Sequence, residues 1–373
     1  MTVTAPAIHQ FAATAEEGAV GSHMLGLQHL LRAEGRDSEI FAEHRRGRFA
    51  DAARPHVDYG TAIAAAPGDI VVYHLAIGSV IADWLAPRPQ ALVVVHHNLT
   101  PVRFLRGWDP DASYGVEWGL RQLPELAARA RLGVGVSSFN AADLIAAGFE
   151  RTAVAPVLFD ATSLRPQRAS GTAREGDERR SPGASWLFVG RLAAHKCQHQ
   201  IVRALAAYRR LYDPHATLRL VGGPQEGPYV DAVRSSAAAL GVGGALSLTG
   251  PVSPERLAGE YRRADVLVCL SEHEGFCVPL VEAMTAEVPV VTVASSAIPE
   301  TVADAAVVLP FARGRQPPAL AVAAAVHRVL SDTALRAQLV GAGRRRAAAL
   351  GPEVTGRRWM DLLGALPPGP PRR

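Results

Sequence analysis

Two glutamates eight positions apart, Glu274 and Glu282, bracket a loop that opens a helix within residues 271–291. The run 265–270 before them reads as a buried strand. Pro279 suits the first helical position, where its missing N–H costs nothing. The amides of Phe276, Cys277 and Val278 then point out of the helix start, where the macrodipole adds about half a positive charge. Such a terminus binds phosphate. Glu282 lies one turn inside, and helical side chains lean back toward the N-terminus. A carboxylate is a poor phosphate ligand but a good acceptor for sugar hydroxyls. Phosphate donors flanked by two hydroxyl acceptors describe a nucleotide-sugar site. The plain alternative is a strand-loop-helix with solvated glutamates.

The elements that must position these groups alternate along the chain. Strand candidates are 69–73, 91–95, 133–136, 186–189, 217–221, 245–248, 265–270 and 289–293. Helical stretches include 22–34, 117–131, 198–212, 228–240 and 254–263. Runs apolar on both faces predict parallel strands covered by helices. Their alternation with helices predicts doubly wound α/β sheets. Residues 165–184 lack apolar periodicity and are rich in Gly, Pro, Ser and charge, which predicts a flexible linker. It separates an N-terminal domain, 1–164, from a C-terminal domain, 185–351. Ligands of such folds bind at the carboxyl ends of strands, so a cleft between the halves is expected to hold the ligand. A last helix is expected within 352–365, followed by a disordered Pro-rich tail, 366–373.

A length of 373 residues allows two domains of ordinary size. With 48% hydrophobic and 20% charged residues the composition is globular. The net charge of +4 is consistent with anionic ligands and too small to argue for nucleic acid. The clusters Arg45-Arg46-Gly47-Arg48 and Arg344-Arg345-Arg346 read as solvated surface, with membrane-surface contact as the rival reading. Cys197, Cys269 and Cys277 have no ligand-like spacing and point to a reducing cytoplasm rather than to disulfides or zinc. No signal-peptide pattern is evident, and no apolar run reaches the ~18 residues of a membrane helix; a cytoplasmic protein is expected. Asp109-Pro110-Asp111 mimics a metal-binding Asp-x-Asp, but its Pro-rich setting reads as a surface turn. No metal site is expected. The Arg-, Ala- and Pro-rich usage fits a high-GC bacterium.

Residues 271–291 resemble the signature of family-4 retaining glycosyltransferases, enzymes of the GT-B fold. The matching positions are Glu274, Gly275, Phe276, Pro279, Glu282, Ala283, Met284, Pro289, Val290 and Val291. Cys277 and Glu287 depart, standing where small glycines are common. The resemblance implies that Glu274 contacts the donor sugar and Glu282 the ribose. Gly190-Arg191-Leu192 with His195-Lys196 resembles the family's Gly-Arg-Leu…Lys-Gly element, with Cys197 replacing the last Gly. It implies that Arg191 and Lys196 hold the diphosphate. Cleaving a sugar–phosphate bond leaves negative charge on the departing nucleotide, and placed cations stabilise that charge in the transition state. Arg can bind bidentately; Lys acts as a point charge.

Gly18-Ala19-Val20-Gly21 resembles the glycine-rich first loop of this fold, facing the diphosphate; the alternative is a turn with Ser22 as an N-cap. Residues 93–101 resemble a His-Asn-Ile-Thr-Pro element of a bacterial branch. By that resemblance His97 is an active-site residue, with His96 second and Asn98 beside them. His74, closing the strand 69–73, is placed to line the same cleft. Gly222-Gly223-Pro224 falls where the family turns near the nucleotide, and the backbone at Val252 is placed to read the base. Plain turns are the competing account of both.

The resemblance implies two Rossmann-like domains facing a cleft, the last helix crossing back onto the first. It implies a retaining glycosyltransferase that moves a sugar from a nucleoside-diphosphate sugar to an acceptor, with no metal or cofactor. The sugar carbon develops oxocarbenium-like charge as the diphosphate leaves. The rival readings are a nucleotide-sugar epimerase or another GT-B enzyme, and a non-catalytic sugar-nucleotide-binding protein.

Overall fold

The computed structural model describes residues 6–166, 182–312 and 314–366. Most of the expected linker and nearly all of the expected tail lie outside the described residues. The chain divides into two compact units: residues up to Asp160 together with those from Leu350 onward, and Ala161–Ala349.

The first unit holds β1 (Ile8–Ala15), β2 (Ile40–Arg45), β3 (Arg54–Pro55), β4 (Ile70–Leu75), β5 (Ala91–His96), β6 (Leu132–Gly135) and β7 (Thr152–Val154). All pair in parallel, in the order β3-β2-β1-β4-β5-β6-β7. The wholly buried runs of β4 and β5 explain why those strands are read so easily from sequence. Side-chain alternation sends Phe11 to one face and Ala12 to the other. Phe11 stacks on Phe41 with centroids 5.0 Å apart, in a core shared with Tyr59, Tyr73 and Val94. Ala12, Met24, Ile40 and Phe49 form the core of the opposite face. Each such aromatic contributes about 2–3 kcal/mol by burial.

The helix Ala19–Ala33 starts at Gly18, not Ser22, which corrects the expected cap. Its first turn runs so close to the preceding chain that a Cβ on Gly21 would lie 1.9 Å from the Glu16 carbonyl oxygen. Asp109-Pro110-Asp111 is likewise not a plain turn. Asp109 caps the helix Pro110–Arg129, accepting from the Ala112 amide at 3.0 Å, with Pro110 opening the first turn. The helix Pro352–Gly364 returns to the first unit: Trp359 is fully buried there and donates to the Pro156 carbonyl at 2.9 Å.

The second unit holds β8 (Ser185–Val189), β9 (Thr217–Val221), β10 (Leu246–Gly250), β11 (Val266–Cys269), β12 (Val290–Val293) and β13 (Ala306–Leu309). They too pair in parallel, in the order β10-β9-β8-β11-β12-β13. Both sheets are therefore doubly wound, with switch points between β1 and β4 and between β8 and β11. Ligands of open α/β sheets bind beyond the carboxyl ends of strands at such points. Among the described residues, no helix is long and apolar enough to cross a membrane.

The basic clusters are partly structural rather than simply solvated. Arg344 grips Glu287 with two bonds of 2.7 and 2.6 Å, and Arg346 donates to the Thr301 carbonyl at 2.9 Å. Arg45 donates to the carbonyls of Ala50 and Ala53 at 3.1 and 3.2 Å. Glu287 itself has φ of 61°, in the left-handed region. Replacing it tests that strain. Glu287→Ala loses the ion pair and keeps the strain, whereas Glu287→Gly loses both. The Gly variant is expected to be more stable than the Ala variant by about 1 kcal/mol. Urea unfolding measures the difference; equal midpoints would contradict it.

Candidate active site

The switch point of the second unit gathers chemistry from two loops. One follows β8 and runs through Gly190, Arg191 and Lys196. The other follows β11 and leads into the helix Val278–Thr285. The Glu272 amide bonds the His195 carbonyl at 2.7 Å and ties the loops together. Lys196 Nζ then reaches both oxygens of Glu274, at 2.7 and 2.6 Å. Their side chains are 19% and 8% exposed. Burial pulls the Lys196 ammonium down, but Glu274 more than offsets it and the pKa ends raised. The ammonium has three donors and the carboxylate about four acceptor sites. The pair can thus stay bonded while Lys196 also meets a phosphate and Glu274 a hydroxyl.

Glu274 is held from behind. Its amide donates to Ser296 Oγ at 2.7 Å and its carbonyl accepts from the Ala297 amide at 3.3 Å. Glu282, one turn into the helix, accepts from the Tyr261 hydroxyl at 2.8 Å. Burial pushes the Glu282 carboxyl up, against the pull of that hydrogen bond. Gly275 and Phe276 are buried between the two glutamates, and the Phe276 carbonyl accepts from Thr301 Oγ1 at 2.6 Å. Cys277 is the residue before the helix and offers it no side-chain cap.

Cys197 and Cys277, where glycines were expected, adopt φ of 56° and 68°. The glycine-like backbone survives without glycine. The cysteines are not solvent-facing: Cys277 Sγ lies 3.9 Å from Cys269 Sγ, and that contact and burial push its thiol up.

The glycine turns after β8, β9 and β10 lie side by side. Gly190 N donates to Val221 O at 2.9 Å, Leu192 N to Gly223 O at 2.6 Å, and Gly222 N to Gly250 O at 3.0 Å. A Cβ on Gly222 would sit 2.3 Å from the Gly190 carbonyl oxygen. Val252 follows on the next loop, half-buried. Arg191 is exposed, and its carbonyl is fixed by Gln198 Nε2 at 2.9 Å.

In the first unit, Gly18 is exposed at the start of its helix and Gly21 is buried within it. His74 and His97 meet directly, Nδ1 to Nε2, at 2.9 Å. His74 Nε2 lies 3.0 Å from Gln10 Oε1. His96 does not join them. It is buried on the other side of the strand end, with Nε2 3.4 Å from Asp143. Asn98, with φ of 103°, accepts from Asn140 Nδ2 at 3.3 Å. Sequence reading missed Gln10, His23, Tyr261 and Ser296. Only Ser296 had a local signal, the Ser-Ser turn before Ile298-Pro299.

No clustering of metal ligands was expected, yet two groups bring three ligand-type atoms within 4.8 Å: His23, His74 and His97, and Cys269, Glu274 and Cys277. Hydrogen bonds occupy both. His23 Nδ1 accepts from the Leu158 amide at 2.8 Å, so its proton sits on Nε2. Glu274 is engaged by Lys196.

Residues 173–346 match the family described as glycosyl transferases group 1. A D-inositol 3-phosphate glycosyltransferase from Nocardia farcinica is 31% identical over 248 residues, 64% of this chain and 54% of that protein. The chain spans about half the length of the curated relatives it matches. Among solved structures, a sucrose-phosphate synthase from Thermosynechococcus elongatus aligns with a TM-score of 0.75 at 19% identity, covering 96% of this chain and 98% of its own. Anabaena HepE in complex with UDP-glucose aligns at 0.74 and 18% identity, covering 96% and 100%. At such identities these two likenesses speak for the fold. Residues 173–346 are therefore similar to a glycosyl transferases group 1 domain, and the two Rossmann-like units have the fold of GT-B structures.

Proposed function

We propose that the protein is a retaining glycosyltransferase that takes a sugar from a nucleoside-diphosphate sugar. The observation that carries this reading is the buried Lys196–Glu274 pair at the switch point, with Glu282 one helical turn away. Lys196, Arg191 and the main chain before Val278 hold the diphosphate. Glu274 orients the sugar and Glu282 the ribose. The bond from the anomeric carbon to the diphosphate oxygen breaks, its electron pair leaving with the diphosphate. The acceptor oxygen bonds the same face of that carbon, and its proton passes to the departing phosphate. Lys196 and Arg191 stabilise the charge that develops.

The Nocardia relative's name and the HepE complex support the choice of substrates to try first: a phosphorylated polyol as acceptor and a UDP-sugar as donor. A thermal-shift series of UDP-, GDP-, ADP- and dTDP-sugars tests the donor. At a hundredfold excess over Kd, binding adds ~2.7 kcal/mol, a rise of about 5–10 °C for a cooperative unit the size of Ala161–Ala349. Transfer is then followed by NMR of the product's anomeric proton. No shift with any donor and no diphosphate release would reject the reading, and an inverted product would reject retention.

A further inference from the structure

The geometry points to Gln10 as a positioning residue: through His74 it fixes His97 in the tautomer whose Nδ1 is a hydrogen-bond acceptor. The inference rests on the function proposed above. Gln10 and His74 occupy diagonal positions on β1 and β4, across the switch point of the first unit; Ala12 pairs with His74, and Gln10 with Val72. His97 follows the end of β5, whose His96 pairs with Leu75.

The direction of each bond follows from one fixed end. Gln10 Nε2 lies 2.9 Å from the Met24 carbonyl oxygen, which can only accept. The amide nitrogen must face it, so Oε1 faces His74. Oε1 can only accept as well, and at 3.0 Å it requires a proton on His74 Nε2. A neutral ring carries one N–H, so His74 Nδ1 is a lone pair. His97 Nε2, 2.9 Å away, must then donate to it. His97 Nδ1 is left as the acceptor. Both rings are neutral: burial drives their pKa values down, and the neighbouring histidines add to it. Turning the Gln10 amide over would set two carbonyl oxygens against each other at Met24. His23 packs on both rings, with centroids 5.2 and 5.3 Å away, and its buried Nε2 has no hydrogen-bond partner among the described residues.

The tautomer has a chemical consequence. A lone pair at His97 Nδ1 accepts from a substrate hydroxyl, which an N–H at that atom cannot do. Gln10 touches no substrate in this scheme. It acts by deciding which atom His97 offers.

The test uses the full chain labelled with ¹⁵N-histidine. Long-range ¹H–¹⁵N spectra at pH 7.5 are expected to show Nε2–H tautomers for His74 and His97. Gln10→Leu removes the acceptor and is expected to give mixed or reversed tautomers at both rings. Gln10→Glu, kept neutral by its full burial, donates its O–H to the Met24 carbonyl and keeps an oxygen acceptor at His74, and is expected to restore the native signature. Diphosphate release from UDP-glucose and GDP-mannose is measured on the same samples, with kcat/KM expected to fall roughly 10–100-fold in Gln10→Leu and to recover in Gln10→Glu. An Nδ1–H tautomer at His97 in the wild-type protein overturns the inference, as does a reversed tautomer in Gln10→Leu with unchanged turnover. Turnover with an Nδ1–H His97 fails this inference alone. A native Nε2–H signature with no release from any donor fails the functional reading, and the positioning role falls with it.

Discussion

Lys196→Ala is expected to lower transfer by about two to three orders of magnitude and to destabilise the second unit by about 3–5 kcal/mol. Both effects have one origin. Lys196 Nζ sits within 2.7 Å of both Glu274 oxygens, and the carboxylate is 8% exposed. Removing the ammonium strands a buried negative charge, and that stranding costs more than the ion pair itself contributes. It also removes a cation from the site where the diphosphate departs. The double variant Lys196→Met/Glu274→Gln separates the two. It buries neutral groups of similar size, so stability is expected to return to within about 1 kcal/mol of the wild type while turnover stays lost. Urea unfolding and diphosphate release measure each quantity. Near-normal turnover in Lys196→Ala would remove the cation from the mechanism. A double variant as unstable as the single one would show that packing, not charge, holds the loops. The linkage sign keeps the pair intact at neutrality. With its folded pKa raised, Lys196 contributes stability that is full below the unfolded value and is lost only as pH rises through the folded one.

The chain reveals its parallel strands where apolar runs are continuous. The expected strands match β4, β5, β6 and β8 to β12 within two residues at each end. β1 escapes because His9, Gln10 and Thr14 interrupt Ile-His-Gln-Phe-Ala-Ala-Thr-Ala, although seven of its eight residues are buried. Those polar groups are tolerated only because tertiary partners meet them: Met24 and His74 for Gln10, and the Glu39 amide for His9 at 3.2 Å. No local pattern foretells such partners. β2 hides behind the charged end Glu43-His44-Arg45, and β3 has only two residues.

The candidate site divides in the same way. Glu274, Glu282, Arg191 and Lys196 stand out because each lies in or just after a short loop with a distinctive spacing. Their supports do not. Tyr261 meets Glu282 across 21 residues, and Ser296 meets Glu274 across 22. His96 and His97 show the limit most clearly. Strand alternation sends neighbours to opposite faces, but only the packing of Asp143 on one side and His74 on the other says which ring serves which face.

Lowering the pH from 7.5 to 5 is expected to remove several kcal/mol of stability from the first unit. Burial holds His23 neutral down to about 3, and the pKa values of His74 and His97 also lie well below the ordinary value. In the unfolded chain all three titrate near 6.5. Below that pH the unfolded state binds protons that the folded state refuses, so stability falls as the pH drops. Each ring contributes about 1.4 kcal/mol per pH unit, hence about 2 kcal/mol at pH 5. Three such rings, about 6 kcal/mol together, exceed the low end of a typical domain's whole stability, ~5 kcal/mol. Carboxylates titrate lower and change little in this window, which isolates the histidines. Trp359 is the reporter: it is buried in the same unit, its ring 4.8 Å from His23. Urea unfolding followed by tryptophan fluorescence, to which Trp359 contributes, should show a falling midpoint between pH 7 and 5. His23→Gln keeps an acceptor for the Leu158 amide and loses the titration, so its slope should be shallower by one ring's share, about 1.4 kcal/mol per pH unit. A midpoint independent of pH would mean that these rings open to solvent, and that the chain of protons from Gln10 to His97 is not held in place.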